Sequence, residues 1–431
     1  MHWQRFSTGD NKLMMYDTEV LIIGAGAVGV CCAHYLREAG KEVMLIDKGD
    51  VCSGASYGNA GLIVPSYSMP LPAPGVIAQS LKWLLDRESP FYIKPSLRPS
   101  LLRWMWKFIC ACNVDHVKRS IPVLRDLTLE SLRLFKELNS LEGMDFCFEQ
   151  KGIVELFRTR DGFEEGKWAL ELLRSFGIKG ELLDEESLAQ WVNGMCSKIA
   201  GAIAFYDDAS MIPDRFVKQL VQYETKHGLE LRAQTRVVGF KKSMGRITTV
   251  HTTRGEICAR EVVIAAGAWS PLIARNLGVK LVMEPAKGFS ITYRRAGHFL
   301  ERPVSLAEAR VVITPMVDMV RFAGILELVG FDDSISINRI RGMQKAVTAY
   351  FPEFDFKDME LIEIWHGFRP CSADGLPYIG RPRRWRNLVI ATGHGMLGLS
   401  QAPATGKLVA QILSGEKPFV DLRLFRIERA G

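Results

Sequence analysis

The chain has 431 residues, 48% of them hydrophobic and 24% charged, with a formal net charge of +7. At about 100–200 residues per domain this length implies two or three domains with filled cores, while the apolar content excludes a disordered chain and the 38 Gly and 19 Pro exclude collagen-like or low-complexity architectures. So mild a charge permits weak attraction to anionic surfaces but does not demand nucleic acid.

From the N-terminus, residues 1–17 read as an extension with no hydrophobic signal core, because Asp10, Lys12 and Asp17 interrupt it. No later run approaches the about 18 uninterrupted apolar residues of a spanning helix, so a cytoplasmic protein is expected. Residues 18–23 form an apolar, β-branched run of the kind found in buried parallel strands. Gly24–Ala25–Gly26–Ala27–Val28–Gly29 follows at once, then a helical stretch to Gly40, a second strand at 42–46, and Asp47. Strand, glycine turn, helix, strand and acid fill about thirty residues, the span of a dinucleotide-binding unit. Gly24 allows the tight turn, Gly26 lets backbone approach a pyrophosphate, and Gly29 lets helix and strand pack closely. The helix N-terminus offers free N–H groups to phosphate, and Asp47 stands at the offset of a ribose-gripping acid.

Residues 76–145 change character and read as helices, at 75–86, 99–112 and 121–141. Trp83, Trp104 and Trp106 alternate there with Lys82, Arg103 and Lys107, which fits either helices packing in a second domain or a surface that touches the bilayer. Strand-like stretches follow at 146–158 and 202–206, and Pro213 opens a helix to His227. Short strands at 235–240, 247–252 and 256–258 read as a β-meander, and further strands are expected at 288–293, 311–314 and 320–326. Residues 261–267 form a strand that ends in Ala266 and Gly267 before Trp269. Residues 387–392 form another, closing on Gly393–His394–Gly395, and a helix runs from about 399 to 413. A C-terminal glycine turn returning to an N-terminal fingerprint suggests one extended cofactor held across a discontinuous domain, which suits FAD better than NAD. The nine cysteines include no C-x-x-C pair, and His34, His227 and His251 lack ligand-like spacing, so reduced thiols and no metal site are expected.

The fingerprint, Ser53–Gly61, Pro285–Ala286–Lys287–Gly288–Phe289, the run from Gly367–Phe368–Arg369–Pro370 to Gly380, and Gly393–His394–Gly395 occur in one order. By these motifs, over residues 18 to about 426, the chain resembles the FAD-dependent D-amino-acid oxidase and dehydrogenase superfamily. Bacterial D-amino-acid dehydrogenases are the nearest branch and glycine oxidases a more distant one. The resemblance implies an α/β fold in which a discontinuous Rossmann-like FAD-binding domain (18–75, 207–278 and 367–426) is interwoven with an α+β substrate domain (76–206 and 279–366) on a mostly antiparallel sheet. It implies non-covalent FAD, since Gly58 stands where covalently linked relatives carry histidine. Cofactor contacts would come from Gly24, Ala25, Gly26, Ala27, Val28, Gly29, Asp47, Lys48, Ala55, Ser56, Asn59, Ala60, Gly61, Leu62, Val237, Ala266, Gly267 and Trp269. Gly393, His394, Gly395, Met396, Leu397 and Gly398 would meet the flavin.

In the same resemblance Arg369 anchors the substrate carboxylate, a task that a planar, permanently charged fork suits. Arg310 and Met396 are further expected pocket residues, and His394 is a candidate acid–base group. Lys287 is a candidate for tuning the flavin. The implied reaction is oxidative deamination of a D-amino acid by hydride transfer from Cα to flavin N5, with quinone as electron acceptor. A dehydrogenase for D-hydroxyproline or proline, an oxygen-using oxidase, and a flavin-binding subunit remain as alternatives. Val312 and Met396 replace polar residues of glycine oxidase, which argues against glycine itself.

Overall fold

The computed structural model describes residues 16–77, 89–193, 196, 198–294, 300–352 and 354–430. Most of the helix expected at 75–86, with Lys82 and Trp83, and most of the N-terminal extension lie outside them.

Two sheets organise the mixed α/β fold. The first has six strands in the order Tyr378–Gly380, Leu388–Thr392, Ala259–Ile264, Thr18–Ile23, Val43–Ile46 and Glu230–Arg232. All neighbours pair in parallel except the Tyr378–Gly380 edge. Its central strands are apolar over Val20–Ile23, Val43–Ile46, Val262–Ile264 and Leu388–Ala391 because both faces are covered there. Val20, Ile22, Val43 and Leu45 pack under the helices, whereas Leu21, Ile23, Met44 and Ile46 face a second cluster with Ile247 and Val250. The fingerprint helix, Ala27–Glu38, lies against Ala402–Ser414. They approach closely at Gly406, where a side chain would strike the backbone of Cys31 and Cys32.

The second sheet has nine strands and is mostly antiparallel. Leu361–Ser372, Met283–Arg294, Met319–Leu328, Val311–Met316 and Val304–Leu306 lead to Ile153–Phe157, Gly201–Phe205 and Glu181–Leu183, and Phe91–Ile93 joins the end of Met319–Leu328. The expected strands at 288–293 and 320–326 are therefore longer than read. Pairing continues through two prolines because Pro285 stands opposite Pro370, so both missing donors fall at one position of the ladder. Residues 367–372, expected in the cofactor domain, belong to this second sheet.

The meander is present as Val237–Ser243, Arg246–Thr252 and Gly255–Ile257. Of the strand expected at 146–158 only Ile153–Phe157 forms. The helix expected at 121–141 spans Val114–Asn139 and continues through Pro122, with Asn113 capping it by accepting from His116 N–H at 2.8 Å. Among the described residues four α-helices were not expected from the sequence: Arg160–Ser175, Glu185–Val192, Ser270–Arg275 and Ile337–Tyr350.

Candidate functional site

One elongated cavity of about 800 Å³ runs from the glycine turn of the first sheet to the face of the second. At one end lie Asp47, Lys48, Arg236, Val237 and Trp269; at the other lie Val64, Tyr67, Val312, Arg310 and Arg369. Between them the wall is made by residues 53–56 and 58–60 on one side and His394–Ser400 on the other.

The first end is built by local geometry. Gly24 adopts φ +116, and a Cβ there would stand 2.5 Å from the Ala265 carbonyl oxygen, so only glycine fits. A side chain at Gly29 would overlap the Gly24 carbonyl, so helix and strand meet here at backbone contact. The helix starting at Ala27 has Gly26 as N-cap and no side-chain cap of its own; Ala27 N–H donates instead to Ser56 Oγ at 3.0 Å. The Asp47 carboxylate accepts from Ala25 N–H at 2.7 Å and Gly49 N–H at 2.8 Å, which fixes it at the cavity rim. Lys48 Nζ sits 3.4 Å above the Trp269 ring, a cation–π contact, and burial pulls its pKa down.

The second end is built by pairing between distant strands. Arg369 leaves Leu361–Ser372 and donates through Nη1 to Ile325 O at 2.8 Å and through Nη2 to Gly324 O at 3.3 Å. Among the described residues no carboxylate pairs with it, and burial lowers its pKa without threatening a charge that guanidinium always keeps. Tyr67 donates its phenolic O–H to Ser305 Oγ at 2.9 Å, and burial raises the pKa of that phenol. Trp365 lays its indole against Gly58 and Gly367, where side chains would overlap the ring. From behind, buried Arg321 donates through Nη1 to Tyr57 O at 3.2 Å and Asn59 O at 2.9 Å, pinning the loop that lines the middle of the cavity.

The chain matches the family described as DAO, FAD dependent oxidoreductase, over residues 19–412. It belongs to this family. A D-amino acid dehydrogenase of Granulibacter bethesdensis is 31% identical over 412 residues, 93% of this chain and 97% of that protein. One from Rhizorhabdus wittichii is 31% identical over 418 residues, 95% of this chain and 100% of that protein. Among solved structures, glycine oxidase from Geobacillus kaustophilus superposes with a TM-score of 0.78 at 22% identity, covering 96% of this chain and 99% of that one. L-proline dehydrogenase from P. horikoshii gives 0.77 at 21% identity, covering 96% and 98%. The last two likenesses establish the fold.

This FAD-dependent oxidoreductase has a cavity that fits its cofactor. The bare cradle at Gly24–Gly29, the helix start whose N-cap glycine brings no side chain, and the fixed acid suit a pyrophosphate and a ribose. The length of the cavity, reaching the turn at Gly393 (φ +84) and Gly395 (φ +56), suits an extended dinucleotide more than a short ligand.

Of the expected cofactor residues, Gly24, Gly26, Ala27, Val28, Asp47, Lys48, Ala55, Ser56, Asn59, Ala60, Leu62, Val237, Ala266, Gly267, Trp269, His394, Gly395, Met396, Leu397 and Gly398 line the cavity. Ala25, Gly29, Gly61 and Gly393 stand behind its wall instead. Ala25 is fully buried, Gly61 backs onto the Met211 carbonyl, and Gly393 packs on Tyr378. Arg369, Arg310 and Met396 all reach the cavity, Arg310 in a left-handed conformation at φ +51.

His394 reaches the cavity with its ring already engaged. Its Nε2 is engaged with Thr405 Oγ1 at 3.0 Å, and burial, with Arg429 nearby, holds its pKa down to about 3. Lys287 does not line the cavity. It is 2% exposed and bridges Glu327 at 3.2 Å and the Ser334 carbonyl at 2.8 Å. Tyr67, Trp365, Arg321 and the Gly324–Ile325 carbonyls escaped the sequence reading. Their roles depend on which strands lie side by side, and no local spacing records that.

Proposed function

We propose that this oxidoreductase oxidatively deaminates D-amino acids to 2-oxo acids and ammonia, with Arg369 as the substrate anchor. The observation that carries the reading is a cationic fork at the cavity wall that has backbone carbonyls, and no acid among the described residues, as partners. A guanidinium has five N–H donors, so those left after the two carbonyls can grip a carboxylate in two-point fashion. FAD, when bound, supplies the electron-pair acceptor for the Cα–H. The chain's own residues supply position. Arg369 holds the α-carboxylate, and Val64, Val76, Val312 and Leu326 form apolar walls that exclude water from the reacting carbon. With His394 neutral and engaged, loss of the proton is left to a substrate amine that enters uncharged. Relatives named D-amino acid dehydrogenase support the choice of handedness.

We further propose quinone as the acceptor and a peripheral contact with the inner face of the cell membrane. No helix among the described residues is long and apolar enough to cross a membrane. The helix Pro99–Ala111, however, leaves Leu102, Trp106 and Ile109 exposed along one stripe, with Trp106 65% accessible. Arg103 and Lys107 flank it, and residues 89–114 contain no Asp or Glu. Such a face suits an anionic interface.

Anaerobic mixing of the purified yellow protein with D- and L-amino acids and cyclic imino acids tests the reaction. Bleaching of the flavin band by D-amino acids alone is the expected result; bleaching by L-forms or imino acids alone contradicts it. Stoichiometric peroxide in air would replace quinone with oxygen.

A further inference from the structure

The hold on Arg369 has its own architecture. Along Met283–Arg294 and Met319–Leu328, Lys287 pairs with Glu327 and Phe289 with Gly324, so two steps on one strand face three on the other. The extra residue makes a β-bulge. Ile325 within it adopts φ +63, a left-handed conformation that is an outlier for a β-branched side chain. Such strain persists only where the surroundings over-determine it. Here Ile325 falls out of register with both neighbouring strands, and its carbonyl and that of Gly324 accept from the same guanidinium.

The strand between Arg369 and those carbonyls matters equally. To reach them the side chain crosses Met283–Arg294 at Gly288, and a Cβ at Gly288 would overlap Nη1, Cζ and Nη2 together. Gly288 pairs directly with Gly367, which is itself covered by the Trp365 indole. Gly324 is crowded on its other side by the Arg310 carbonyl, 2.8 Å from where a Cβ would stand. The guanidinium therefore lies against bare backbone at Gly288, the one of these three glycines whose side chain would lift or turn it.

Carbonyl partners also differ in kind from a carboxylate. They orient the fork through dipoles but leave its full charge for a ligand, whereas an internal acid would compete with the substrate.

We infer that Gly288 and the Gly324–Ile325 bulge are positioning elements: they set the height and rotation of the Arg369 fork, and with it the placement of the substrate carboxylate. This inference rests on Arg369 being the anchor. A displacement of about 1 Å can cost about a hundredfold in reaction rate, so the floor beneath the fork bears on catalysis without touching substrate.

A double-mutant cycle on the flavin-loaded enzyme tests it, with Gly288→Ala, Arg369→Lys and the pair together. The readouts are the Kd of benzoate from its perturbation of the flavin spectrum, KM and kcat for the reducing amino acid, and flavin retention. Gly288→Ala is expected to raise the benzoate Kd and KM at least about tenfold with flavin retained. In the Arg369→Lys background the same change should alter Kd less than about twofold, because a slender ammonium does not meet the new methyl. Equal weakening in both backgrounds, or none in either, overturns the inference. Should Gly288→Ala lose flavin outright, retention restored in the double variant supports it and continued loss overturns it. An unchanged Kd in Arg369→Ala is a separate result, and it would remove the anchor itself.

Discussion

The two ends of the cavity hold opposite charges by the same means. At one, the Asp47 carboxylate is fixed by the N–H groups of Ala25 and Gly49; at the other, the Arg369 guanidinium is fixed by the carbonyls of Ile325 and Gly324. Among the described residues neither charge takes an ion-pair partner. Peptide dipoles orient each group and leave its charge for the ligand, which is what binding requires. The difference lies in how the dipoles are assembled. Asp47 is served by a turn and a strand end within its own βαβ unit, while Arg369 depends on three strands brought together from residues 283–294, 319–328 and 361–372.

If that comparison is right, the local end should fail cleanly. Asp47→Ala is expected to weaken FAD by about a hundredfold, the scale of losing a charged hydrogen-bond partner, as measured by release of flavin fluorescence. Tight retention of FAD would mean the acid serves only the turn. The wall behind the amino-acid end offers a smaller effect. Burial raises the pKa of Asp208 from 3.8 to about 8 against the hydrogen bonds from Ser66. Between those values the folded chain keeps a proton that the unfolded chain has released. Stability therefore falls as pH rises through this window and stays reduced above it. Asp208→Asn should melt a few degrees higher than the parent near pH 9 and close to it near pH 4; a uniform shift would contradict this account. The smallest effect is expected at His394. With its pKa held near 3, His394→Gln should leave the pH dependence of flavin reduction between about pH 6 and 9 unchanged. Loss of a limb from that profile would restore a catalytic role.

The same contrast explains what the sequence disclosed. Gly24, Gly26, Gly29 and Asp47 are legible because one short unit carries turn, helix start and acid, and the structure forms each in place. Arg369 was legible as a motif, but its support was not. Nothing near Ile325 marks a bulge, since the extra residue exists only relative to the register of Met283–Arg294. Trp365 against Gly58, and Arg321 beneath Tyr57 and Asn59, likewise join positions hundreds of residues apart. The prolines at 285 and 370 concealed the full strands, because each looks like a stop until the two are seen opposite one another. His394 was legible only in part. A histidine in a glycine turn at the expected flavin suggests chemistry, yet Thr405 and burial hold it as a neutral brace.

Anaerobic reduction of flavin-loaded Arg369→Ala, followed at the flavin band over a range of D-amino acid concentrations, tests the central assignment most directly. The account predicts retained FAD and a reduction rate at sub-saturating substrate lowered by at least about a hundredfold, as expected when a buried charge-assisted pair is removed. Flavin bleached as fast as in the parent, at the same concentrations, would contradict it.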